Sequence, residues 1–379
     1  MNISEHIYLD YAASTPTLPE VVEEVLPYMV ENFSNPSNGI HNGGKTVAQA
    51  IEKATTRIQK LIGAWDYDVI YTSGATEGLN MTLKGLYLES GHHKKQIITC
   101  KTEHKAVLAV CDYLTELGAE ISYVDVNIDG ELNYDQLKQL ISENTLAVCL
   151  MAVNNETGVI HDIDTISSIC LQNNVKYICD GTQAVGKLPL NIEKTPIDAL
   201  IFSGHKMYAP KGIGAVVLKR SFKIHPLIHG GGQQNDRRSG TLNVPGIVGL
   251  GKAAEILTER ITIENDNIRR LQKLLEGQLT KEQKSKIIGA QAKRSPYISN
   301  IYFHLNEHEE IIFPLSSKIY FSTGSACTSE IIEPSHVLRA MGMDSKEADR
   351  CLRFSFGIQT TENEVKEAID LIKKELNKV

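Results

Sequence analysis

The sequence predicts an α/β protein in which a large domain with a mostly parallel, seven-stranded sheet is followed by a smaller α+β domain. Three observations carry that expectation. Between residues 68 and 218, short apolar runs alternate with helical periodicities, the pattern of βαβ units around a sheet buried on both faces. Beyond about residue 255 the alternation gives way to a mixed texture. The apolar runs also stop repeatedly at small polar clusters, and open α/β sheets bind their ligands beyond such strand ends.

Taken in order, residues 6–14 (HIYLDYAAS) form an extended arm. Residues 19–32 are helical, with Val21, Val22, Val25, Leu26 and Met29 on one side. Asn35-Pro36-Ser37-Asn38-Gly39 is a loop by composition, and a long amphipathic helix covers 46–62. Strands are predicted at 68–72, 96–100, 121–125, 146–151, 175–179, 198–202 and 214–218. Helices are predicted at 104–117, 133–142 and 162–172, with a short one at 181–186. A long helix opens at 248–260 and continues with interruptions to Gln278. Strands follow at 298–304 and 318–321, and helices at 307–314, 334–341 and 362–377. The expected division is 15–255 for the large domain, with 1–14 and 256–379 in the small one.

Composition excludes several classes. A length of 379 residues suits about two domains, with 42% hydrophobic and 22% charged residues. A net charge of −7 argues against a nucleic-acid or acidic-membrane binder. The first residues, MNISEHIYLDYAAS, lack a basic segment followed by an apolar one, and no apolar run is long enough to span a bilayer. Seven cysteines without a CxxC pair fit reduced intracellular thiols. The expectation is a cytoplasmic enzyme.

Two motif matches fail for want of context. Residues 39–46 (GIHNGGKT) satisfy the phosphate-cradling pattern GxxxxGK[ST], but polar residues and Pro36 precede them instead of a buried strand. Residues 249–254 (GLGKAA) match GxGxxA inside an apparent helix, where close packing through small residues is the better account.

The strand ends carry the chemistry. Thr72-Ser73-Gly74-Ala75-Thr76-Glu77 closes a strand and opens a helix, so the Ala75 and Thr76 amides and the Thr76 hydroxyl make an anion site. His104 opens the next helix, where it is either a cap or a ring partner. Asn155 lies in a turn after residues 147–151. Asp180 ends a buried strand and needs a partner there, with Gln183 just beyond. Ser203-Gly204-His205-Lys206 follows another apolar run and places Lys206 between two strands, as a candidate Schiff-base lysine. One ligand suits all five ends: a phosphate, a planar ring, a ring nitrogen for Asp180 and an aldehyde for Lys206. Pyridoxal 5′-phosphate has these parts. Farther on, Cys327 sits in a small polar stretch, 321–329, that reads as an exposed loop around one thiol. Arg353 lies in an apolar strand, where it pairs with a substrate carboxylate or a structural acid.

These residues spell a family. IYLDYAAST (7–15), TSGATEG (72–78), TEHKAV (102–107), VNNETG (153–158), DGTQAVGKLP (180–189), SGHKMYAPKGIG (203–214), RRSGTLNVPG (237–246), TGSACTS (323–329) and LRFSFG (352–357) resemble pyridoxal-phosphate cysteine desulfurases of the class V aminotransferase family, over nearly the whole chain. The resemblance implies the fold type I architecture of pyridoxal-phosphate transferases, and a homodimer. It implies that Lys206 holds the cofactor and moves the α-proton, that His104 stacks on the ring, and that Asp180 pairs with its nitrogen. Asn155 and Gln183 would lie near the ring hydroxyl and substrate, and Ala75, Thr76, Ser203 and His205 would hold the phosphate. Thr241 would reach the neighbouring subunit's cofactor, and Arg353 with Asn35 would take the carboxylate of L-cysteine. Cys327 would receive the sulfur as a persulfide, on a long mobile loop that delivers it to an iron–sulfur scaffold or a tRNA-thiolation protein. No resident metal is implied, Cys327 serving at most as a transient iron–sulfur ligand, and no direct contact with nucleic acid or membrane. Gly181 and Ala209 depart from the family pattern, which has alanine and glycine there. A selenocysteine lyase or another class V relative is the alternative within the enzyme class. A non-catalytic assembly subunit, which would lack Lys206, His104 or Cys327, is the alternative outside it.

Overall fold

The computed structural model describes residues 6–91, 93–281, 284–304, 309–323, 325–327 and 332–378. The chain enters as an extended arm containing Ile7–Tyr8 (β1), then forms Pro19–Val30 (α1) and Asn42–Ile62 (α2). Proline fits the first turn of α1 because that N–H would have no helical partner anyway. The second helix begins at Asn42 rather than Thr46, capped by His41 Nδ1, which accepts from the Gly44 amide at 3.0 Å. No strand feeds this loop, so the GIHNGGKT match lacks the geometry of a phosphate cradle.

Strand and helix then take turns as expected. The series is Tyr67–Thr72 (β2), Ala75–Glu89 (α3), Gln96–Cys100 (β3), Lys105–Glu116 (α4), Glu120–Val124 (β4) and Tyr134–Leu140 (α5). It continues with Thr145–Cys149 (β5), Ile163–Gln172 (α6), Lys176–Asp180 (β6), Ala199–Ser203 (β7) and Gly214–Lys219 (β8). These seven strands, β2 to β8, form one sheet in the order β2-β8-β7-β6-β5-β3-β4. β8 is antiparallel to β2 and β7, and the other neighbours are parallel. The short link from β7 to β8 cannot make a crossover, so that strand must return antiparallel. β2, β6 and β7 therefore run the same way, and Thr72, Asp180 and Ser203 emerge on one edge. The helix expected at 181–186 does not form. Gly181 donates to Ile201 O and Gly186 takes φ 74°, so the segment is a series of turns.

One unbroken helix, Val244–Leu279 (α7), replaces the interrupted one expected from the sequence. Gly251 lets it cross close to α2, since a Cβ there would lie 2.5 Å from Ala54 Cα. That is the packing role expected of GLGKAA. Ser285–Ile287 (β9), Ile298–Phe303 (β10), Glu309–Ser316 (α8), Ile319–Tyr320 (β11) and Ser322–Thr323 (β12) come next. Ser325–Cys327 (β13), Ile332–Pro334 (β14), His336–Ala340 (α9), Ser345–Asp349 (α10), Cys351–Ser355 (β15) and Glu362–Leu376 (α11) complete the chain. An antiparallel sheet of order β12-β15-β10-β9 forms here.

Separate apolar clusters underlie the two sheets. One packs Leu150, Tyr177, Leu200 and Val217 against Leu250 and Leu257 of α7. Another packs Ile268, Leu271 and Leu275 of α7 with Ile301, Phe354, Ile369 and Ile372. Ile7 and Leu9 belong to this second cluster, because β1 pairs in parallel with β11. The stretch around Cys327, read from sequence as a loop, contains a short antiparallel pair in which Cys327 is opposite Ile332. Gly324 and residues 328–331 of that stretch lie outside the described residues.

Candidate active site

A cavity of about 680 Å³ opens at the edge where β2, β6 and β7 end. Its centre is Lys206, in the single 3₁₀ turn that follows β7. Lys206 Nζ donates to Ala12 O and Ala13 O, both at 2.6 Å. Burial lowers the amine's pKa from 10.5 to about 8, the nearby Arg353 guanidinium adds to this, and Asp10 and Asp180 oppose it. The lowered pKa brings the neutral, nucleophilic form of the amine within reach just above neutral pH; in that form two hydrogens serve the two carbonyls and the lone pair is free.

On one side lies an anion cradle. The N-terminus of α3 offers the free amides of Ala75 and Thr76, and the helix dipole favours negative charge there. Gly74 brings the backbone close to Ser203, whose Oγ would lie 3.4 Å from a Cβ at position 74. His205 closes the cradle, its Nδ1 3.3 Å from Ser14 Oγ. Burial and the lysines Lys206, Lys211 and Lys187 push its pKa down to about 4, so the ring is neutral. The one acid in the first turn, Glu77, is turned away from an anion: it accepts from the Ser73 amide at 2.7 Å and pairs with Arg238 at 2.8 Å.

On the other side, Asp180 is 6% exposed and accepts from the Thr182 amide through Oδ1 at 2.9 Å. That single bond leaves Oδ2 able to accept from a ring N–H. His104 is the N-cap of α4, its Nδ1 accepting from the Ala106 amide at 3.1 Å, which places the ring proton on Nε2. Burial lowers its pKa, with Asp180 opposing. Asn155 Oδ1 and Thr182 Oγ1 are buried at the cavity wall without a hydrogen-bond partner. Orphaned polar atoms of this kind mark a place where a ligand supplies the missing bonds. Anion cradle, carboxylate, an amine of lowered basicity and orphaned polar atoms together fit pyridoxal 5′-phosphate.

The class-V aminotransferase family model matches residues 7–367. Cysteine desulfurase IscS of Edwardsiella ictaluri is 40% identical over 380 residues, covering 98% of this chain and 93% of that protein. Cysteine desulfurase IscS of Dictyoglomus turgidum is 38% identical, covering 100% and 96%. The chain belongs to the class V cysteine desulfurases. A solved NifS-like protein superimposes with a TM-score of 0.92 at 33% identity, over 99% of this chain and 100% of that one. The structure of SspA in complex with cysteine superimposes at 0.82 with 30% identity, over 93% and 99%. The fold is accordingly that of the fold type I pyridoxal-phosphate enzymes.

Most site residues expected from sequence meet in this desulfurase cavity: Ala75, Thr76, His104, Asn155, Asp180, Gln183, Ser203, His205, Lys206 and Arg353 all line it. Two do not. Asn35 is exposed outside the cavity lining, and its Oδ1 accepts from the Ser37 amide at 2.9 Å. Thr241 is exposed outside it too. Arg353 is more engaged than expected. Its Nη2 donates to Asp10 Oδ1 at 2.9 Å and Ser322 Oγ at 2.6 Å, and its Nη1 to Asn155 O at 2.9 Å. Gly181 has a packing reason to lack a methyl, since a Cβ there would meet Leu200 Cδ1 at 2.6 Å. Sequence reasoning missed Asp10 and the Ala12 and Ala13 carbonyls. Only the acid could have been suspected, because main-chain acceptors leave no trace in residue type.

Cys100, Cys111, Cys149, Cys170, Cys179 and Cys351 are buried, and burial raises each thiol's pKa. Such thiols are inert toward exchange.

Proposed function

We propose that this enzyme converts L-cysteine to L-alanine, with Cys327 as the thiol that takes the sulfur. The reaction balances without an external oxidant: L-cysteine and the Cys327 thiol give L-alanine and a Cys327 persulfide. The observation that carries the reading is Lys206 Nζ, held by two main-chain carbonyls in a cavity with a buried carboxylate. Pyridoxal 5′-phosphate, bound there, supplies the electron sink for the carbanion at the substrate α-carbon.

The chain's own groups do the rest. Ala75, Thr76, Ser203 and His205 would hold the phosphate, and Asp180 Oδ2 would accept a hydrogen bond from the ring nitrogen. His104 would face the ring with its Nε2–H available for proton transfer. Lys206 Nζ would hold the cofactor and then take the proton from the substrate α-carbon. Arg353 receives the substrate carboxylate by exchanging part of its contact with Asp10 and Ser322, with Asn155 close by. The Cys327 thiolate attacks the substrate sulfur.

The domain division 15–255, with 1–14 and 256–379 as the small domain, is supported by the separate apolar clusters on the two halves of α7. A homodimer, with Thr241 serving the neighbouring site, completes the proposal, together with a cytoplasmic location. No described helix is long and apolar enough to cross a membrane. The persulfide then passes to an acceptor protein for iron–sulfur assembly, as the relatives' names suggest, or for tRNA thiolation.

The test is mass spectrometry after L-cysteine is added to the coloured holoprotein. One extra sulfur on Cys327 is expected, with alanine released. Cys327→Ala should keep its colour and lose both. Continued sulfur transfer by that variant would refute the role given to Cys327.

A further inference from the structure

Behind the cavity wall lies a second lysine that no step of the reaction uses. Lys187 is 2% exposed, and among the described residues it has no acidic partner. Its Nζ donates instead to the amide oxygen of Gln183, Oε1, at 2.6 Å. Gln183 is itself 4% exposed, and its Nε2 donates to Ala12 O at 2.9 Å. Ala12 O is also one of the two carbonyls that hold Lys206 Nζ. A chain of hydrogen bonds therefore runs from one buried lysine to the other through the Gln183 carboxamide and one carbonyl.

The direction of this chain is fixed by chemistry. A carboxamide has a donor end and an acceptor end that are nearly equal in shape, so packing alone does not choose between its two orientations. Here both neighbours choose. The Ala12 carbonyl can only accept, so Nε2 must face it, and the Lys187 amine donates to Oε1 at the other end. Flipping Gln183 would set Oε1 against the carbonyl and take from Lys187 the acceptor it donates to, in a buried place. In the observed orientation Nε2 has a second hydrogen left for whatever fills the cavity that Gln183 lines.

We propose that Lys187 is a positioning residue that locks Gln183 donor-first toward the cofactor cavity. Its place in the sequence suits this, one helical turn's spacing after Gln183 in the turns that follow β6. Burial is the main reason its own amine is made less basic, its pKa lowered to about 7, with Lys206 and Arg353 acting in the same sense. An uncompensated cation is costly in such a place. Stability alone would favour an apolar side chain there, so a lysine in this place points to a positional role.

The inference rests on the proposed cofactor, and the experiment separates the two. Cofactor-stripped protein is titrated with pyridoxal 5′-phosphate by visible absorbance, as wild type, Lys187→Met, Gln183→Ala and the double variant. Circular dichroism checks the fold of each. Lys187→Met keeps the length and bulk of the chain and removes the donor. It is expected to weaken binding about tenfold and shift the visible maximum in the wild-type background, from the unmade buried bond. In the Gln183→Ala background it should change binding less than twofold, because there is no carboxamide left to orient. Lys187→Gln, which keeps a donor, should lie between wild type and Lys187→Met. An equal loss in both backgrounds would show that Lys187 acts by packing and overturn the proposal. An unchanged affinity and spectrum in Lys187→Met would overturn it as well, while leaving the cofactor reading intact. A wild-type protein that gains no visible band would overturn the cofactor reading and this inference with it. If Lys187→Met does not fold, Lys187→Leu in the same two backgrounds decides the question.

Discussion

The lowered basicity of Lys206 makes a quantitative claim about how this residue reacts before any cofactor arrives. Its pKa is lowered from 10.5 to about 8, chiefly by burial and then by Arg353. At pH 8 about half of such amines are neutral, against about 0.3% for a lysine titrating at 10.5, a ~150-fold difference in reactive form. Brief treatment of cofactor-stripped protein with formaldehyde and cyanoborohydride across pH 6 to 11, followed by peptide mass spectrometry, reads this directly. Methylation of Lys206 should rise with a midpoint near 8. Arg353→Met should move the midpoint upward, because removing a neighbouring cation makes the ammonium easier to keep. A Lys206 midpoint above 10 would refute the reasoning, and so would a downward move in Arg353→Met.

Two further predictions concern the scaffold. Glu276 is nearly buried and accepts from Arg294 at 2.7 and 3.0 Å and from Ser299 Oγ at 2.7 Å, so Arg294→Met should lower stability by about 3–5 kcal/mol in urea unfolding. His161 is buried and neutral, its pKa lowered by burial from 6.5 to about 4. The unfolded chain binds that proton first, so the histidine's contribution to stability is full above pH 6.5 and declines as pH falls toward 4. The total loss is about 3 kcal/mol. The difference in stability between wild type and His161→Gln should follow that window, with wild type losing more in acid.

What the sequence discloses and what it hides follow a physical line. Strands such as 96–100 and 214–218 are legible because a sheet covered on both faces needs continuous apolar runs. The chemistry at their ends is legible for the same reason, since a polar cluster after such a run has nowhere to go but the ligand edge. The segment 181–186 misleads because its helix-like pattern competes with Gly186, which takes a left-handed conformation. β9 is invisible because Ser285-Lys286-Ile287 is set by pairing with β10, not by its own propensity. Around Lys206 the hidden parts are the Ala12 and Ala13 carbonyls, supplied by backbone path alone. Arg353 was recognised, but its hold on Asp10 depends on two distant segments meeting.

That meeting has a mechanical consequence. Leu9 and Ala12 bond to Ser355, some 343 residues later in the chain, and the same short arm supplies the acceptors for Lys206. The carbonyls that hold Lys206 are therefore anchored on the second sheet, so anything that loosens β15 also loosens the grip on an amine placed at the end of the first.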